Sequence, residues 1–129
     1  MAEKSVVRTE SAPAPFQGAP YNQAIKVGDL VFVAGQLALE PGHTEMVGDS
    51  IGEQTEQVLR NLRAILEEAG TGLDRLVKTT VFLTDLDDFQ GMNEVYARHV
   101  GDRPPARSTV EVSRLPSGAL VEIEAIAHL

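Results

Sequence analysis

Pro104-Pro105-Ala106-Arg107-Ser108-Thr109-Val110-Glu111-Val112, then Leu115-Pro116-Ser117-Gly118, then Ala119-Leu120-Val121-Glu122-Ile123-Glu124-Ala125-Ile126-Ala127: the chain closes on two strands and a turn. The paired prolines forbid a helix running in from upstream, and the β-branched residues favour extended backbone, so the first strand begins at about Ala106. Proline with its fixed φ, followed by a glycine free to take positive φ, supplies the reversal. The pattern predicts a hairpin-like unit in which the strand of Arg107 neighbours the strand of Glu122. Side chains alternate across a strand, so Ala119, Val121, Ile123, Ala125 and Ala127 share an apolar face, while Leu120, Glu122, Glu124 and Ile126 share a mixed one. Two carboxylates on so apolar a strand, with an arginine beside them, leave two readings. Arg107 and one glutamate form an ion pair at a sheet edge or subunit contact. Alternatively, Arg107 grips a carboxylate ligand with its planar fork of donors while a glutamate manages protons.

Upstream, Leu76-Val77-Lys78-Thr79-Thr80-Val81-Phe82-Leu83 reads as a central strand in which Lys78 is the one charge to account for. A helix is expected from Ser50, whose spacing to Glu53 fits a capping box. Its apolar stripe runs through Ile51, Val58, Leu59, Leu62, Ile65, Leu66 and Ala69 to Gly70 as C-cap. Asp85 is placed to cap a second helix with stripe Leu86, Phe89, Met92, Val95, Tyr96 and Val100. Gly101 ends it, and Gly91 is an internal weakness that a close contact would explain. Tyr21–Val27 and Leu30–Gly35 form a hairpin about Gly28-Asp29. A short strand is expected near Val6–Arg8, and the loop from Gln36 to Asp49 is expected to hold a brief strand near Met46-Val47. The order predicts an α+β fold, two helices laid on one face of a mixed sheet. The other sheet face, apolar in places, then needs cover, which predicts a homo-oligomer with the pocket at a subunit interface.

At 129 residues, 43% apolar and 23% charged, residues 1–129 fit one domain with its own core. No apolar run reaches bilayer length, and the first ten residues lack the apolar stretch of a secretory signal, so a cytoplasmic location is expected. The formal charge of −8, with dispersed Lys and Arg, disfavours nucleic acid. With no cysteine, thiolate chemistry is excluded, and His43, His99 and His128 show no ligand spacing, so no metal is expected.

Pro105-Ala106-Arg107-Ser108, Leu115-Pro116, Glu122-Ile123-Glu124-Ala125-Ile126-Ala127, Gly35-Gln36, Val77 to Leu83 and Asn93-Glu94-Val95-Tyr96 together resemble the RidA (YjgF) family of reactive-intermediate (2-iminobutanoate/2-iminopropanoate) deaminases, over about Tyr21 to Ala127. The resemblance implies a chorismate-mutase-like fold assembled as a homotrimer with ligand clefts between subunits. It also implies hydrolysis of enamines and imines, such as 2-aminoacrylate, to 2-keto acids and ammonia without a cofactor. Carried over by position, Arg107 is similar to the arginine that binds the substrate carboxylate and Glu122 to the glutamate that orients or activates water, with Glu124 as the fallback. Tyr21 and Asn93 match positions lining or supporting the pocket, Gly35 one where the backbone approaches the ligand, and Thr109 stands where many members have cysteine. Read from residue type alone, Tyr21 packs, Asn93 bonds its own helix and Gly35 marks a bulge. Ala34, where serine is frequent, and Thr109 put substrate preference in question. Two other functions stay open: a regulatory module that binds a small carboxylate without turnover, and a ribonuclease-like translation inhibitor, an activity attributed to some family members, against which the acidic balance and the lack of a paired histidine argue.

Overall fold

The computed structural model describes residues 3–129. Its regular elements are β1 (Ser5–Val7), β2 (Ala24–Val27), β3 (Leu30–Gln36), α1 (Ile51–Ala69), β4 (Leu76–Leu83), α2 (Phe89–Val100), β5 (Ala106–Glu111) and β6 (Val121–His128). The strands make one sheet in the order β1-β2-β3-β6-β4-β5. Every neighbouring pair is antiparallel except β4 and β5, which run parallel because α2 carries the chain back between them. This is the α+β arrangement expected, with both helices on one face.

One expectation about the last strands fails. β5 and β6 do not pair: β4 lies between them, bonded to β5 through Thr79↔Arg107 and to β6 through Thr79↔Ala125. The link 112–120 is too long for a tight hairpin and long enough to step over a strand, given a strand spacing of about 4.8 Å. The turn chemistry inside it was read correctly, since Gly118 takes φ 71°. The expected strand near Met46-Val47 is also absent; a single backbone bond from Val47 N to Ala38 O (2.7 Å) holds that loop inward.

The helices begin and end as their sequences dictate. Ser50 Oγ accepts from Glu53 N at 3.2 Å, and Gly70 at φ 92° turns the chain so that Thr71 N bonds Leu66 O at 2.9 Å. Asp85 accepts from Asp87 N at 2.9 Å, but it caps a 3-10 turn over Leu86–Asp88 that precedes α2, so the helix proper starts at Phe89. A Cβ on Gly91 would sit 2.7 Å from Ile51 Cγ2, so the glycine is what lets α2 approach the start of α1.

The core fills the space between the helices and one sheet face. Val58, Leu59, Leu62, Ile65 and Leu66 of α1 meet Val31, Val81, Val121 and Ile123 of the sheet, all fully buried. The opposite face has no helix. It carries Phe32 at 43% exposure and Val110 at 42%, with Leu30 exposed at its margin.

Candidate functional site

On that bare face, β3 bulges where it pairs with β6. Val33 opposes Ala125 while Gln36 opposes Ile123, so β3 has one residue too many between them, at Ala34-Gly35. The bulge reading of Gly35 is therefore correct, and it has a steric reason. A Cβ on Gly35 would lie 2.6 Å from Glu122 Oε2 and 2.9 Å from its Cδ, so the missing side chain is the space that the Glu122 carboxylate occupies.

Glu122 thus looks into a cleft of about 400 Å³ whose walls include Tyr21, Gly35, Phe16, Leu37 and Pro116. Burial pushes the Glu122 carboxyl above its ordinary pKa, and the charge of Glu124 on the same strand face pushes it further. Tyr21 lies at the rim, 41% exposed, and its hydroxyl accepts from Phe16 N at 2.6 Å. The ring is held by the chain that precedes it, so it is more than packing. Two similar turns flank this cleft, Phe16–Ala19 and Pro116–Ala119. Each has a non-glycine residue in the left-handed region, Gln17 at φ 53° and Ser117 at φ 54°, a conformation that costs roughly 1 kcal/mol or more and collects at ligand clamps. Nothing in the composition of these turns announces the strain.

Arg107 is elsewhere. Its register partner Thr79 is buried on the helix side of β4, and the guanidinium lies 4.8 Å from the Tyr96 ring centre and 5.5 Å from that of Phe89, with Nη1 4.0 Å from Met92 Sδ. Tyr96 is fixed in turn by a 2.6 Å hydrogen bond between its hydroxyl and Thr79 Oγ1. Burial raises the Tyr96 pKa, with that bond and the Arg107 charge opposing the rise. Thr109, two residues along β5, shares the face of Arg107, and Asn93 stands one turn from both Phe89 and Tyr96 on α2. The Asn93 side chain makes no hydrogen bond to its own helix among the described residues.

The candidate residues therefore fall into two sets on opposite sides of the sheet: Tyr21, Gly35 and Glu122 on the bare face, Arg107, Thr109 and Asn93 on the helix side at the β5 edge. The expected ion pair within one chain is excluded. Among the described residues no carboxylate lies within 4.0 Å of Arg107, and Glu122 and Glu124 project from the other face. The sequence missed the aromatic bed of Arg107, because Phe89 and Tyr96 read as ordinary members of an apolar stripe.

Among the described residues no three His, Asp or Glu side chains gather as a metal group, and no helix is long and apolar enough to cross a membrane. His99 is engaged outside the cleft, with Nε2 2.9 Å from Glu56 and Nδ1 3.0 Å from Arg63, and its hydrogen bond holds the Glu56 carboxyl below its usual range.

The family model described as Endoribonuclease L-PSP matches residues 9–129. A RutC family protein of Pyrococcus abyssi is 54% identical over 125 residues, covering 97% of each chain. Reactive Intermediate Deaminase A, chloroplastic, of Arabidopsis thaliana is 48% identical over 127 residues, covering 98% of this chain and 67% of that one. The crystal structure of E. coli TdcF with bound serine superposes with a TM-score of 0.89 at 38% identity, covering 97% of this chain and 98% of that one.

Proposed function

This chain belongs to the RidA (YjgF) family that the Endoribonuclease L-PSP model describes, a family that includes a reactive-intermediate deaminase, and on that premise we propose that it hydrolyses 2-imino acids, and the enamines that tautomerise to them, to 2-keto acids and ammonia. The reaction takes place in a cleft shared by two copies of the chain. The single observation that carries this reading is the division of the site. An arginine with no carboxylate partner among the described residues and a half-buried glutamate lie on opposite sides of one sheet, and the glutamate's face carries exposed Phe32 and Val110 and is uncovered. A neighbouring copy laid against that face brings its Arg107 edge toward this chain's Glu122 cleft. A homotrimer closes such a contact on itself.

Each residue then has a task. Arg107, its plane held over Tyr96 and Phe89, presents forked donors to the substrate carboxylate in a geometry that lysine cannot copy. Asn93 and Thr109 flank that anchor, and Tyr21 and Gly35 shape the opposite wall around the reacting carbon. Burial, with the charge of Glu124, shifts Glu122 toward its protonated form. For an enamine, protonated Glu122 supplies the proton that the β-carbon takes as the C=C electrons become a C–H bond and nitrogen forms C=N. Water then adds to the iminium carbon as the Glu122 carboxylate takes one of its protons, and Glu122 passes that proton to the nitrogen. The carbinolamine hydroxyl gives its proton back to Glu122 as C=O forms and ammonia leaves with the C–N electrons. No redox partner is needed, and positioning plus one acid–base group, the latter worth roughly 10²- to 10⁴-fold, meets the demand of an imine that already hydrolyses in water.

Serine in E. coli TdcF also supports a second reading, a module that binds small carboxylates without turnover. The test generates 2-aminoacrylate in situ with a pyridoxal-phosphate dehydratase and follows keto-acid appearance. Wild type is expected to outpace buffer, and Arg107→Ala to lose about 10³-fold in kcat/KM through two missing charge-assisted hydrogen bonds. Rates equal to buffer across several imines, with a keto acid still bound, would replace hydrolysis by the binding role.

A further inference from the structure

α1 carries three buried amide side chains that its apolar stripe does not require. Gln54, Gln57 and Asn61 are 3%, 9% and 1% exposed, and their spacing sets them along one line of the helix. Asn61 Nδ2 donates to Leu37 O at 3.0 Å and to Leu39 O at 2.8 Å, while its Oδ1 accepts from Gln57 Nε2 at 2.9 Å. Gln54 Nε2 donates to Gly48 O at 3.1 Å, and its Oε1 accepts from Leu120 N at 2.9 Å.

The bonded groups have one thing in common. Leu37 and Leu39 are walls of the Glu122 cleft, Gly48 is the far end of the same loop, and Leu120 stands two residues before Glu122. Residues 37–48 have no strand ladder, so their buried carbonyls must find donors elsewhere, and the amides supply them. An apolar residue of similar volume at position 61 would fill the same space but leave Leu37 O with only Leu39 N at 2.9 Å and Leu39 O with only Gln57 Nε2 at 3.5 Å.

We infer that Gln54 and Asn61 are positioning residues: through backbone bonds to Leu37, Leu39 and Leu120 they fix the wall of the cleft and the entry of the strand that aims Glu122. The inference rests on the reading of Glu122 as the proton-transfer group. It assigns α1 a part in the chemistry without contact with substrate, because a displacement of about 1 Å at a reacting group can cost on the order of 10²-fold.

Asn61→Leu keeps bulk and removes the donors to Leu37 O and Leu39 O; Gln54→Met keeps bulk and removes the donor to Gly48 O and the acceptor of Leu120 N, in case the first variant folds poorly. Leu62→Ala, also on α1 and fully buried, is the control, because it destabilises the core while leaving every amide bond to the loop in place. Measured per folded molecule, the amide variants are expected to lose about 10- to 100-fold in kcat with KM changed less than about threefold, the anchor at Arg107 being untouched, while Leu62→Ala keeps its kcat. A kcat loss in Leu62→Ala equal to that of the amide variants, or an unchanged kcat in both amide variants, overturns the assignment. If wild type hydrolyses no imine, the proposed reaction alone fails, and the carboxyl resonance of Glu122 decides the positioning role. Its titration midpoint moves down toward the ordinary carboxylate value in Asn61→Leu but not in Leu62→Ala if the amides hold the wall; no movement overturns the role.

Discussion

The two faces of the sheet follow different rules. On the helix-covered face, Val31, Val81, Val121 and Ile123 alternate inward and are fully buried against α1, so the alternation of the strands agrees with the packing. On the bare face the same strands carry a bulge, a half-buried glutamate pushed toward its neutral form, and exposed Phe32 and Val110. Away from its β5 edge, where Arg107 lies, the covered face stabilises the fold, and the bare face departs from that pattern around Glu122, where the proton transfer is proposed. Local conflicts of this kind gather at functional sites.

The largest expected contrast comes from changing one residue on each side of the sheet. Leu62→Ala should destabilise by about 2–5 kcal/mol in chemical denaturation, through lost apolar burial and an unfilled cavity. Phe32→Glu should leave the stability of the isolated chain within about 1 kcal/mol, since the side chain is 43% exposed, yet shift the protein to monomer in size-exclusion with light scattering. A Phe32→Glu variant that unfolds while remaining assembled would break the comparison.

Gly35→Ala sharpens it on the bare face alone. The added methyl claims the space of the Glu122 carboxylate, so turnover should fall about 10- to 100-fold with only a small change in denaturation midpoint. Unchanged turnover would show that the carboxylate can move aside at no cost.

How much of this the chain declared in advance depends on whether its cue was local. The helix limits at Ser50 and Gly70, the glycine at position 91 that signals a close contact and the alternation of β6 are each cues within one element and are legible. The pairing of β5 was not, because nothing in Ala106–Glu111 says which strand it meets, and its burial alternates only between half-buried and exposed. Glu122 could be assigned to the mixed face of its own strand. Arg107 could not be assigned to the opposite side until β4 was found between them. Gly35 as a bulge was within reach, but the carboxylate that fills its vacant side-chain space was not, because that contact joins strands far apart in sequence.

The smallest expected effect is on stability and follows from the sign of the Glu122 shift. Its folded pKa is raised above the unfolded value, so the folded state prefers the proton. Stability is fully present below the ordinary carboxylate range and is lost as pH rises through the folded pKa. Glu122→Gln, which is always neutral, should match wild type at low pH and have the higher urea midpoint at pH 7, by a modest margin because the group is partly solvated, while losing turnover. Equal midpoints at all pH values would mean that burial does not strain this carboxylate.

Complementation between inactive variants tests the shared cleft most directly. Arg107→Ala and Glu122→Gln chains, unfolded together in equal amounts and reassembled, place an intact Arg107 beside an intact Glu122 at about one quarter of the contacts if each site takes one residue from each neighbour. The account predicts recovery of about a quarter of wild-type turnover in the mixture, with none in either variant reassembled alone. A mixture as inactive as its parents, with mixed oligomers confirmed by mass spectrometry, would contradict it.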